Sequence, residues 1–149
     1  MRISIIKILA SLVIVFILNS CKQSEVEGII IGHTLSENQS LEDNQKLQKL
    51  IRKTLRGDAE SLVTLLHFEC GGGAGCYDLG SIVTQIIYKR GENNFIEITN
   101  KLDAKSFITL ESLVSVGLEY GDNNIDGKME YKKIETEFPQ LFHLIKIKK

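Results

Sequence analysis

The sequence predicts an all-α domain of about five or six short helices, arranged as a compact bundle or an array of helical hairpins. Three observations carry this expectation. Beyond position 40, apolar residues recur at three- and four-residue spacing rather than in the strict alternation of half-buried strands. Proline occurs once, at Pro139, so the earlier periodic stretches can run as helices without interruption. Those stretches span roughly 11–16 residues between stop and start signals, the ordinary length of a globular helix.

Each element follows from its own residues. Leu47, Leu50, Ile51 and Leu55 share one face of a helix that starts near Leu41, and Gly57 stops it. Asp58 can cap a second helix with Leu62, Leu65 and Leu66 turned inward. Asp78 is expected to cap a third, carrying Ile82, Val83, Ile86 and Ile87 and ending near Gly91. A short fourth holds Phe95, Ile98 and Leu102. Asp103 opens a fifth, with Phe107, Leu110, Val114 and Leu118 on one stripe as far as Gly121. The last segment shows Tyr131, Ile134, Phe138, Leu141, Phe142 and Ile145, and Pro139 either kinks it or starts a separate last turn. The paired short helices resemble HEAT-like solenoids, although no motif repeats at a fixed period.

The amino terminus has a different build. Arg2 and Lys7 precede a run from Ile8 to Leu18 that carries no charge and only Ser11 as a polar interruption. A basic start followed by about 7–15 apolar residues is the build of a secretory signal. The run falls short of the roughly 20 apolar residues a transmembrane helix needs. Leu18-Asn19-Ser20-Cys21 resembles the lipobox of bacterial lipoproteins. That resemblance implies that residues 1–20 are removed, and that the Cys21 thiol carries diacylglycerol. Several acyl chains, each supplying about 0.8 kcal/mol per buried methylene, make a stable membrane anchor. Lys22, in place of aspartate after the cysteine, resembles the pattern of lipoproteins sent to the outer membrane of Gram-negative bacteria. Residues 21–39 then read as lipidated cysteine and tether, with a reach of roughly 60 Å at about 3.3 Å per residue. Within it, Ile29-Ile30-Ile31 is expected to dock on the body as a short strand. Residues 40–149 form the helical domain.

Composition narrows the partners. Removing residues 1–20 from a chain of 149 leaves 129, which suits one domain. Without Arg2 and Lys7, 18 basic side chains become 16 against 19 acidic ones, a net charge near −3. No basic field for nucleic acid results. With Cys21 assigned to lipid, Cys70 and Cys76 remain, with five residues between them in "ECGGGAGCYD". Outside the inner membrane an even pair reads as a disulfide, whose effect on so short a loop is to pin a glycine turn.

The candidate chemistry is sparse. "GGGAG" lacks the spacing and context of a dinucleotide loop, and "GDNNIDGKM" fails as a phosphate-binding loop, having five residues between its glycines and Met129 after the lysine. His67 and Cys70 share a helix face and could serve zinc or nucleophilic chemistry, but only with reduced thiols. "DNNIDGKMEYKK", residues 122–133, resembles an EF-hand or dockerin calcium loop. The resemblance implies ligands at Asp122, Asn124, Asp126, the Lys128 carbonyl and Glu130, with Gly127 at the sharp turn. Lys133 stands where that family has a bidentate acid, so any Ca²⁺ bound here would be held weakly. Three histidines and no HExxH or nucleophile motif offer little for acid–base catalysis.

The expectation is therefore a non-catalytic, lipid-anchored envelope protein that binds a protein partner, of the inhibitor, immunity or adaptor type. The alternative is a calcium-dependent binding module using residues 122–130. An envelope hydrolase is the least supported reading.

Overall fold

The computed structural model describes residues 24–123 and 126–149. Cys21 and the whole lipobox lie outside the described residues, as does Asn124. A β-hairpin comes first, with β1 (Glu25–Val26) antiparallel to β2 (Ile29–Ile30) and Val26 opposite Ile29. Helices follow as α1 (His33–Glu37), α2 (Leu41–Leu55), α3 (Ala59–Leu66), α4 (Ala74–Arg90) and α5 (Glu92–Glu97). A 3₁₀ turn (Ile98–Lys101) leads to α6 (Ala104–Tyr120), α7 (Ile134–Glu137) and α8 (Pro139–Lys148). The architecture is mostly helical, as expected, but the described residues hold eight α-helices rather than five or six.

Two features account for the larger number. Gly32 starts α1 inside the segment expected to be tether. Phe138, at φ −132° and ψ 67°, breaks the last segment in two, and Pro139 takes the first position of α8, where its missing N–H costs no helical bond. Of the two roles open to Pro139, it takes the separate start.

α4 and α6 share the largest interface and form the centre of the molecule. Their backbones approach closely at two glycines. A Cβ on Gly80 would fall 2.5 Å from the Leu113 carbonyl oxygen, and one on Gly117 would fall 2.3 Å from the Gly80 oxygen. Around this pair the inward faces read from the sequence converge: Leu47 and Ile51 from α2, Leu62 and Leu65 from α3, Ile82 and Ile86 from α4, Leu110 and Val114 from α6. Each such burial contributes about 1.5–3 kcal/mol.

The segment after Ser24 is part of this core. Ile29 and Ile31 are buried, with Val26 and Leu35 beside them. Ile29-Ile30 forms the docked strand the sequence suggested, and the packed body begins well before position 40. The Gln85 side chain on α4 treats Ile30 as a strand partner. Its Oε1 accepts from Ile30 N–H at 2.8 Å and its Nε2 donates to the Ile30 carbonyl at 3.1 Å.

Candidate functional site

The site is built at the amino-terminal half of α4. Cys70 and Cys76 form a disulfide, with Cα atoms 4.9 Å apart. Between them Gly71, Gly72 and Gly73 all have positive φ, at 71°, 80° and 50°, a path that residues with a Cβ rarely follow. The bridge ties this turn to the start of α4, so the next residues, Tyr77 and Asp78, leave a fixed point.

Asp78 does not cap its own helix, because α4 already begins at Ala74. Its Oδ2 instead accepts the Leu35 N–H at 2.8 Å, capping α1 from a distance. Gly32, the N-cap residue of α1, leaves space for that carboxylate: a Cβ there would lie 2.0 Å from the Asp78 carboxyl carbon.

Beside Asp78 the surface turns aromatic. Tyr77 stacks on Tyr120 at the end of α6, with ring centroids 5.1 Å apart and planes 18° from parallel. The two rings stay 47% and 40% exposed. The chain after α6 then returns to the same place. Tyr131 N–H donates to the Glu119 carbonyl and Lys132 N–H to the Leu118 carbonyl, at 3.2 and 3.0 Å. Tyr131 is 71% exposed with φ 51°, a left-handed backbone uncommon for a residue with a bulky side chain, and its hydroxyl donates to Met129 Sδ at 3.5 Å. Met129 is itself 52% exposed. Tyr120's phenol is held above its ordinary pKa, first by a hydrogen bond and the charge of Glu119, then by slight burial and the Tyr77 and Tyr131 phenols. In the sequence Tyr131 keeps step with Ile134, Phe138, Leu141 and Ile145 of the last segment, which are buried. It lies instead on the surface, because its backbone pairs with the end of α6 before α7 begins.

A pocket of about 240 Å³ opens beside this face, lined by Gly32, Tyr77, Asp78, Ser81, Tyr120 and Asp122, with Ile30, Gln85 and Gly121 completing it. Ser81 and Asn123 hold one edge together, with Ser81 Oγ 3.4 Å from Asn123 Oδ1 and Asn123 Nδ2 donating to the Gly117 carbonyl at 2.8 Å.

The fourth tyrosine has a different setting. Tyr88 donates to Glu137 Oε1 at 2.8 Å and meets the Phe138 ring edge-on, fastening α7 to α4. Burial first, then the Glu137 carboxylate, pushes its phenol well above the ordinary value, against the opposing pull of Lys132. Lys132 is in turn held above its ordinary value by Glu130 and Tyr88. The Glu130 Oε2 lies 2.9 Å from Lys132 Nζ, an ion pair outside hydrogen-bond alignment, and the Glu130 side chain is only 4% exposed.

The residues of the calcium-like loop occupy varied settings. Asp122 accepts from the backbone N–H groups of Asp126 and Gly127, both at 2.8 Å, and Asp126 accepts from Lys128 N–H at 3.0 Å. Gly127 has the left-handed φ of 81° suited to a sharp turn. Glu130 is engaged by Lys132. Among the described residues, no group of three or more His, Cys, Asp or Glu side chains is placed to hold a metal ion.

His67 does not face the cysteines as a base or ligand partner. Its Nε2 lies 3.0 Å from Ser106 Oγ. Asp103 accepts the Ser106 N–H at 2.8 Å as cap of α6, and the Ser106 hydroxyl and backbone hold its carboxyl below the usual range. Serine, not histidine, is the middle member, and at 3% exposure it is closed to substrate. Among the described residues, no helix is long and apolar enough to cross a membrane.

Sequence reasoning missed the tyrosine cluster. The one available signal was negative: Tyr77 and Tyr120 fall off the apolar stripes of their helices, while Phe95, Phe107 and Phe138 fall on them and are buried. No protein-family model, curated protein or solved structure matches the chain.

Proposed function

We propose that the protein is a lipid-anchored cell-envelope protein whose helical domain binds a protein partner, without catalysis, through the face formed by Tyr77, Tyr120, Met129 and Tyr131. The observation that carries this reading is the gathering of three of the four tyrosines, from two helices and a loop, onto one exposed surface. Tyrosine combines a large apolar ring with a polar tip at little cost in side-chain entropy, and it is enriched at the energetic centres of protein interfaces. In a chain without tryptophan, Tyr131, Tyr77 and Tyr120 are the most exposed aromatic side chains among the described residues. The left-handed backbone at Tyr131 supports the same reading, because such conformations cluster at functional surfaces. The anchor at Cys21 would hold this face near the membrane, where an envelope partner meets it.

Site-specific photo-crosslinking tests the face. A benzoylphenyl side chain at position 131, irradiated in cells that make the protein, should yield one discrete adduct. The same group at Leu41, exposed on α2, should not. Equal adducts at both positions, or none at 131 and 120, would count against the reading. In parallel, Cys21→Ser should move the protein from the membrane to the soluble fraction; a processed protein that stays in the membrane would remove the anchor.

A further inference from the structure

We infer that the pocket beside the tyrosine face receives a single basic side chain, lysine or arginine, from the polypeptide partner; this rests on the partner reading above. Size points first. A cavity of about 240 Å³ is below the roughly 300–1,000 Å³ of sites that enclose drug-sized ligands, and it suits one side chain. Charge points next. The lining holds two carboxylates, Asp78 and Asp122, and no lysine, arginine or histidine; Asp122 already accepts the Asp126 and Gly127 N–H groups, so it contributes negative charge while Asp78 contributes the open acceptor. Asp78 spends Oδ2 on Leu35 N–H, and its Oδ1 takes no hydrogen bond from a described residue. The wall chemistry agrees. The stacked pair Tyr77 and Tyr120 brings electron-rich rings and phenolic oxygens, which attract ammonium and guanidinium groups. Ser81 adds a hydroxyl acceptor.

The floor is rigid before any ligand arrives. The disulfide fixes the turn ahead of Tyr77, Gln85 holds the Ile30 backbone at two points, and Asp78 is oriented by α1. A basic group entering would meet oriented acceptors and lose little to rearrangement. The surrounding tyrosines would then cover the stem of the side chain and exclude water from the charge.

The experiment titrates the whole protein in detergent micelles with N-acetyl-arginine amide, N-acetyl-lysine amide and, as the uncharged control, N-acetyl-norleucine amide. Backbone amide resonances report the site. Both basic probes should shift Asp78, Ser81 and Gly121, and the norleucine probe should not. Asp78→Asn should weaken the basic probes about tenfold, and Asp122→Asn similarly. Raising salt should weaken them in the unsubstituted protein, a readout that does not depend on how either variant folds. Equal shifts with norleucine, shifts confined to other faces, or occupancy by a neutral sugar instead would overturn the inference. A Tyr131 adduct formed at full yield by a folded Asp78→Asn, Asp122→Asn protein would overturn it while leaving the partner reading intact. Probe binding in a protein that forms no adduct at all would overturn the polypeptide source along with that reading.

Discussion

Gly32 shows how one residue without a side chain sets up a surface. It gives α1 an N-cap with no capping group of its own, and the carboxylate of Asp78 fills the space and takes up that duty. Gly32→Ala would place a Cβ 2.0 Å from the Asp78 carboxyl carbon, so either the carboxylate or the hairpin must move. A loss of about 1–3 kcal/mol is expected from such overpacking, seen as a melting temperature lower by several degrees in circular dichroism. An unchanged melt would show that Asp78 is not wedged against Gly32. Other caps were readable from the chain. Asp58 and Asp103 accept the N–H of the residue three positions on, at 2.9 and 2.8 Å, as the local capping rule requires. Asp78 looked the same in the sequence, but its acceptor serves a helix 43 residues away, and no local rule reaches that far.

Among the elements, α8 depends on charge as well as apolar contact. Leu141 and Ile145 enter the core, and Lys146 and Lys149 reach Glu111 on α6, with Lys146 Nζ 2.8 Å from its Oε1. Burial pushes the Glu111 carboxyl up, but the two lysines outweigh it and hold the carboxyl below the ordinary range. A carboxylate whose pKa is lowered by folding stabilises above its unfolded value of about 4.3, and that contribution is lost as pH falls through the lower folded value. Glu111→Gln should therefore lower the melting temperature at pH 7 and have progressively less effect as pH falls below about 4. A difference that stays constant across that range would assign the effect to packing instead. The boundaries of α8 were partly legible, since proline favours a helix start. The exposed turn at Tyr131 was not, because a tyrosine in step with Ile134 and Phe138 looks like one more core residue until the backbone pairing with Glu119 and Leu118 is known.

For the whole molecule, the fold class was legible because helical periodicity is a local property that each stretch of the chain states for itself. The candidate face was not, because Tyr77, Tyr120 and Tyr131 are brought together only when α4 and α6 cross and the loop folds back. That crossing needs its glycines: Gly117→Ala would drive a Cβ to 2.3 Å from the Gly80 oxygen. It should cost about 1–3 kcal/mol in denaturant unfolding, and an unchanged midpoint would mean that the helices can separate without loss. The central claim is that this assembled face, held near the membrane, is where a protein partner binds. The most direct measurement is the affinity of the partner recovered by crosslinking for the whole protein, compared between the unsubstituted chain and Tyr120→Ala, with thermal melts of both alongside. At least about tenfold weaker binding with the same melting temperature is the expected result. Equal affinity at equal stability would contradict it.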